Sequence, residues 1–145
     1  MESTVRDILK EKGSQDVVVI SPSRTVFEAI ALMAKHNIGA LPVVDKDEIV
    51  GIISERDYAR RIILENRSSK ATKVSEIMDS KVFYATLQDN CRDLMSLMTE
   101  NRVRHLPVLK GEKIIGLVSM GDVVKSIISD QEFLLGEMTR FITGS

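Results

Sequence analysis

Short apolar runs rich in β-branched residues alternate along this chain with longer amphipathic stretches, and the alternation happens twice. Val17-Val18-Val19-Ile20 predicts a buried strand, and Ser21-Pro22-Ser23 a turn. Thr25, with Glu28 three residues on, is a capping box ahead of a helix whose Val26, Ala29, Ile30 and Met33 share one face. Asn37 and Gly39 stop that helix. Leu41 to Val44 predicts a second strand, Asp45-Lys46-Asp47 a polar hairpin turn, Ile49 to Ile53 a third strand, and Ser54 to about Leu64 a second helix. The later half predicts strand Val82–Ala85, a helix near Asn90–Asn101, strand Leu106–Leu109, turn Lys110-Gly111-Glu112, strand Lys113–Val118, and a helix from about Gly121 that runs toward Ile142 with Gly136 as its weak point.

The two halves are copies. Shifted by 65 positions, Val17–Leu64 falls on Val82–Ser129 without a gap, and about a quarter of the aligned residues are identical. Leu41-Pro42-Val43 meets Leu106-Pro107-Val108, Gly51 meets Gly116, Ser54 meets Ser119, and Asp57 meets Asp122. A fainter echo pairs Val5-Arg6-Asp7-Ile8-Leu9 with Val74-Ser75-Glu76-Ile77-Met78, so each half should begin with a short helix. Glu65 to Lys73 is polar and aperiodic and reads as a solvated linker, though its two serines and three basic residues also suit a phosphate contact. The expected organisation is one repeat with its leading helix and linker over residues 1–70 and a second with an extended last helix over 71–145. A half of roughly 50 residues cannot easily bury its own core. The expected class is therefore α+β: two β-α-β-β-α repeats packed about a pseudo-twofold axis, with two related clefts between them.

Composition narrows the function classes. Of 145 residues, 43% are hydrophobic, enough for a normal core, and the formal net charge of −1 gives no electrostatic case for nucleic acid or an anionic membrane. No apolar run approaches the ~20 residues that span a bilayer. The N-terminus lacks the apolar segment of a secretory signal, which points to the cytoplasm. A single cysteine, Cys91, excludes an intrachain disulfide and a Cys-rich zinc site, and His36 and His105 have no metal-ligand spacing.

Candidate chemistry sits where each third strand meets its helix. Gly51-Ile52-Ile53-Ser54-Glu55-Arg56-Asp57 and Gly116-Leu117-Val118-Ser119-Met120-Gly121-Asp122 share one pattern. Ser and Asp three apart at such a junction cap a helix. They also suit a hydroxylated, phosphorylated small molecule: a carboxylate accepts hydrogen bonds from a cis-diol, and a helix N-terminus offers N–H groups to phosphate. The two roles can coexist. Gly121 would let a ligand approach the backbone. Arg104 is either a surface charge or a phosphate contact, and His105 either an interior histidine or a ligand contact. His36 suits a helix C-terminus, Cys91 a small buried apolar site, and Met95, Met98, Met120 and Met138 core or interface filling. The stripe Ile127, Ile128, Phe133, Leu134, Met138 and Phe141 is expected either to bury against the first helix or to form a dimer contact.

The ordered set of motifs, occurring twice, resembles a tandem pair of cystathionine-beta-synthase (CBS) domains, a Bateman module. Ser54-Glu55-Arg56-Asp57-Tyr58, Arg67-Ser68-Ser69-Lys70 and Arg102-Val103-Arg104-His105-Leu106-Pro107-Val108 look like the small stand-alone CBS-pair proteins of bacteria and plant organelles. The resemblance covers nearly the whole chain. It implies adenosyl ligands (AMP, ADP, ATP, NAD(H) or S-adenosylmethionine) bound between repeats, a homodimer, and an unidentified regulated protein partner. By the same resemblance, Asp57 with Ser54 and Arg56 would share a cleft with Val82, Phe83, Arg104 and His105. Asp122 with Ser119 and Gly121 would share the other with Val17, Val18, Ile38, Gly39 and Ala40. The Asp57 cleft should then hold phosphate more tightly, as in AMP or ADP, and the Asp122 cleft should take a larger ligand such as NAD(H) or stay empty.

The expected function is a non-catalytic adenine-nucleotide sensor with no catalytic cofactor, no metal, no nucleic-acid partner and no membrane. A scaffold with empty clefts is the alternative. A nucleotide-processing enzyme ranks lower, because the chain has no Gly-rich Lys-Ser phosphate loop, no catalytic triad and no cluster of metal carboxylates.

Overall fold

The structure is a computed structural model that describes residues 2–13 and 17–143. Its elements are α1 (Val5–Lys12), α2 (Val26–His36), β1 (Ala40–Asp45), β2 (Glu48–Ser54), α3 (Glu55–Tyr58) continued by a π-helical turn (Ala59–Ile63), α4 (Val74–Ile77), α5 (Cys91–Asn101), β3 (His105–Lys110), β4 (Lys113–Ser119) and α6 (Met120–Thr143). The class is α+β, with two antiparallel hairpins, β1–β2 and β3–β4. Among the described residues no helix is long and apolar enough to cross a membrane.

Contacts divide the chain into two compact units, residues 18–82 and residues 1–17 with 83–145. This differs from a cut near residue 70. Helix α1 precedes the first repeat in sequence yet packs in the unit of the second, where Val5 and Ile8 are buried with Leu94, Leu106, Val108 and Val118. Helix α4 likewise packs in the unit of the first repeat, its Val74 and Ile77 buried with Val26, Leu41, Val43 and Ile53. The reason is steric and apolar at once. Each hairpin has a glycine against which a side chain packs, from the short helix in one unit and from the residue just past it in the other. A Cβ on Gly51 would sit 2.7 Å from Met78 Sδ, and one on Gly116 would sit 2.8 Å from Leu9 Cδ2. Leu9 and Met78 are the matched ends of the faint echo between the two short helices. A hairpin alone is marginal in water; burying side chains such as Leu41, Ile53 and Ile77 contributes about 1.5–3 kcal/mol each.

The two hairpins repeat each other in detail. Val43 pairs with Gly51 but Val44 with Ile49, which leaves Val50 as a bulge; Val108 pairs with Gly116 but Leu109 with Ile114, which leaves Ile115 in the same position. Pro42 and Pro107 fit because their missing donors fall on the outer edge of the hairpin. There the carbonyls of Pro42 and Pro107 accept from Ile20 N and Ala85 N at 3.1 and 2.9 Å. The runs Val17–Ile20 and Val82–Ala85 do not become strands. Each makes one parallel bridge, Ile20 with Val43 and Ala85 with Val108. Next to a bulged, two-stranded hairpin, single-residue pairing is as far as these runs go.

Helix punctuation follows the sequence closely. Thr25 and Glu28 form the capping box of α2, and Asn37 closes that helix in the left-handed region at φ 54°. Arg102 occupies the matching position of α5 at φ 55°, a conformation that suits asparagine better than arginine. Lys46 and Asp47 both have positive φ, the two-residue turn whose twist matches a hairpin. Gly111 supplies the positive φ in the second hairpin. Helix α6 runs through Gly136 without a break. The segment read as a linker is more ordered than its polarity suggests. Ser69 and Thr72 carbonyls accept from Phe27 N and Val26 N, the first free donors of α2. Thr72 is buried, and Lys70 lies 4.9 Å over the Phe27 ring.

Candidate functional site

Each strand-to-helix junction is a capping box built around an aspartate. In one unit, Ser54 N and Ser54 Oγ donate to Asp57 Oδ2 at 2.9 and 3.0 Å, and Asp57 N donates to Ser54 Oγ at 3.2 Å. In the other, Ser119 N donates to Asp122 Oδ2 at 2.9 Å and Asp122 N donates to Ser119 Oγ at 3.1 Å. The capping role expected of Ser54 and Ser119 is therefore realised. It engages the Oδ2 atoms and leaves each carboxylate a second oxygen outside the box, at a part-buried position.

The two aspartates differ electrically. Burial pushes the Asp57 carboxyl above its ordinary value, against the Ser54 hydrogen bonds and the nearby Arg61 that pull it down. At Asp122 burial also raises it, but the Ser119 N–H and the Lys12 ammonium outweigh burial, and the net shift is downward. Lys12 Nζ lies 2.9 Å from Asp122 Oδ2 and 3.0 Å from the Leu117 carbonyl oxygen. Sequence reasoning missed Lys12. The signal was present, because continuing the echo between the short helices sets Lys12 against Lys81.

The residues before each hairpin sit beside the same junctions. The Gly39 carbonyl accepts from Glu55 N at 3.0 Å, and the Arg104 carbonyl from Met120 N at 2.8 Å. Ala40 pairs with Ser54 and His105 with Ser119 in the strand registers. Within one unit, then, Arg104 and His105 belong to the junction that carries Asp122, and Ile38, Gly39 and Ala40 to the junction that carries Asp57. Burial lowers the His105 pKa, Asp122 works against that shift, and Lys12 and Arg104 add to it. Arg104, His105, Ser119, Gly121, Val124 and Ile128 line an open depression of about 740 Å³ along the start of α6. A smaller one of about 210 Å³ adjoins Ile38, Gly39 and Glu55. Arg56 lies in the first turn of α3. Val18 and Val82 fall at the limits of one unit, and Val17 and Phe83 at those of the other.

A family model described as "CBS domain" matches residues 5–64 and again 74–129. A CBS domain-containing protein of Arabidopsis thaliana, CBSX3, mitochondrial, is 40% identical over 98% of this chain and 73% of its own length. A solved CBS-domain protein from Burkholderia ambifaria superposes with a TM-score of 0.83 at 52% identity, covering 89% of this chain and 96% of that one. The CBS domain pair of protein MJ0100, solved in complex with 5′-methylthioadenosine and S-adenosyl-L-methionine, superposes with a TM-score of 0.78 at 25% identity over 90% of this chain and 99% of that one.

Proposed function

The chain belongs to the CBS-domain family as a tandem pair, and from that premise we propose that it is a non-catalytic sensor of adenosyl nucleotides. The stand-alone CBS pairs it resembles are regulatory ligand-binding modules. The observation that carries the proposal is the duplicated Ser-x-x-Asp box, in which each part-buried aspartate presents an oxygen that capping leaves unused. A ribose cis-diol supplies two donors to such a carboxylate. Arg56 near Asp57, and Arg104 with His105 near Asp122, are the cationic and donor groups for phosphate. The Ser119 hydroxyl adds a donor, Ser54 adds one on releasing Asp57 Oδ2, and Gly121 leaves room for the ligand. Val17, Val18, Val82, Phe83, Ile38, Gly39 and Ala40 are proposed as the apolar and backbone contacts of the base.

AMP, ADP, ATP and NAD(H) are the proposed ligands, and the adenosyl compounds bound by MJ0100 support the class. A cytoplasmic home fits that role, because free adenine nucleotides are what the protein would read. A ligand regulates only by favouring one arrangement over another, so an unidentified partner protein is proposed to respond to the change.

Calorimetry with AMP, ATP, NADH and S-adenosylmethionine tests the proposal. At least one ligand should bind below millimolar concentration, and Asp57→Ala and Asp122→Ala should each remove part of that binding. Folded protein that binds none of the four refutes it. A scaffold role remains the second reading, favoured by the exposed apolar face of α6 at Leu134, Met138 and Phe141.

A further inference from the structure

The two repeats meet their aspartates with different chain geometry, and Lys12 is the result. In one unit the short helix ends at Ile77. The chain then pairs back on the hairpin, Asp79 N donating to the Ile52 carbonyl at 2.8 Å and Ile52 N to the Asp79 carbonyl at 2.9 Å. In the other unit the helix runs about one turn further than its counterpart, from Val5 to Lys12, because Lys10, Glu11 and Lys12 favour helix where Asp79 and Ser80 do not. Leu117 is the repeat counterpart of Ile52. Its carbonyl is met by the Lys12 ammonium, which also holds Asp122. The end of α1 is anchored one turn earlier by Leu9 against Gly116, so the ammonium is delivered to this carboxylate by packing. The pair is partly exposed, 41% for Lys12 and 23% for Asp122, and is therefore weak enough to be exchanged.

We infer that Lys12 is a specificity-determining residue of the Asp122 site, selecting phosphorylated nucleosides over neutral ones. The inference rests on the reading of Asp122 as the acceptor for a ribose diol. A diol that bridges both carboxylate oxygens of Asp122 reaches Oδ2, where Lys12 sits, as well as the oxygen outside the box, and so must share or displace the ammonium. A neutral nucleoside then leaves Lys12 and the Leu117 carbonyl to water alone. A nucleotide offers the released ammonium a new anion, at a junction where Arg104 and His105 already lie within one strand register of Ser119. Lysine suits this exchange, since its charge sits on a flexible four-carbon stem.

The test compares adenosine and AMP, by calorimetry, on Asp57→Ala protein so that the Asp122 site is read alone. In that background Lys12→Met should tighten adenosine by about two- to fivefold and weaken AMP by a similar factor, so that the AMP-to-adenosine preference falls by about tenfold. Lys12→Arg, which keeps the charge, should retain most of the preference and guards against a folding effect of the apolar substitution. An unchanged or increased preference in Lys12→Met overturns the inference while leaving the ribose reading intact, provided Asp122→Asn abolishes adenosine binding. If neither compound binds with or without Lys12, or if Asp122→Asn changes nothing, the ribose reading fails and the inference falls with it.

Discussion

Leu9 lies so close over Gly116 that a Cβ at that position would fall 2.8 Å from its Cδ2 and 3.1 Å from its Cδ1. The contact joins α1 to the hairpin of the second repeat. Its counterpart in the other unit is tighter in kind, because a Cβ on Gly51 would meet the Asp79 carbonyl oxygen at 2.9 Å as well as Met78 Sδ at 2.7 Å. A leucine end can rotate away, whereas the Asp79 carbonyl cannot, because it accepts from Ile52 N while Asp79 N donates to the Ile52 carbonyl. Overpacking costs about 1–3 kcal/mol. Gly51→Ala should fall at the upper end of that range and Gly116→Ala at the lower. Urea unfolding of both variants checks the order, and equal or reversed losses would contradict the packing described.

The two aspartates should respond to pH with opposite signs. Asp57 has its folded-state pKa raised above the ordinary 3.8, chiefly by burial. The folded state then holds its proton more tightly than the unfolded chain, so stability falls as pH rises from about 3.8 through the raised value and stays lower above it. Asp122 is lowered: burial raises it, but the Ser119 N–H and Lys12 prevail. Its contribution is present above 3.8 and is lost as pH falls through the lowered value. Asp57→Asn should therefore stabilise the protein at pH 7 and Asp122→Asn destabilise it, each by roughly 1 kcal/mol or less. Both differences should vanish in strong acid. Chemical denaturation at pH 3 and pH 7 reads them directly.

His105 should titrate below the usual 6.5. Burial is the main cause; Asp122 pulls the other way, and Lys12 and Arg104 add smaller lowering effects. The unfolded chain takes up this proton first, so stability is full above about 6.5 and declines as pH falls through the lowered value. NMR titration of the imidazole should show the shift. His105→Gln should flatten the decline in stability that begins as pH falls below about 6.5.

The far half of α6 is too apolar for its surroundings. Phe133, Leu134, Leu135, Met138, Phe141 and Ile142 are exposed, Phe141 by 89%. Replacing Leu134, Met138 and Phe141 together by serine removes side chains that are 44%, 60% and 89% exposed. The triple variant should unfold at a urea midpoint close to that of the parent when both are monomeric. If this face joins copies of the chain, light scattering after gel filtration should show the variant at a smaller assembly than the parent at the same concentration. An unchanged assembly would refute that role for the face.

Local order was legible in the sequence because it depends on residues a few positions apart. The boxes at Thr25, Ser54 and Ser119 are set by side chains that reach their own backbone, and the stop at Asn37 and the turn at Lys46-Asp47 by residues in the left-handed region. The duplication was legible too, because Pro, Gly, Ser and Asp recur at one offset and each answers a local need. The runs Val17–Ile20 and Val82–Ala85 misled, since β-branched composition says that a residue suits a strand but not that a partner strand extends alongside it.

Pairing over distance was decided only by the tertiary structure. Nothing in the order of residues says that α1 packs with residues 83–145 and α4 with residues 18–82. The two short helices carry similar apolar faces, and the fit of Leu9 to Gly116 and of Met78 to Gly51 appears only once the hairpins are folded. The same holds for Asp122. The sequence alone determined that a serine and an aspartate would stand at two helix starts. Which of the two would carry a lysine depended on α1 staying helical as far as Lys12, since side-chain charges separated by more than a hundred residues meet only through packing.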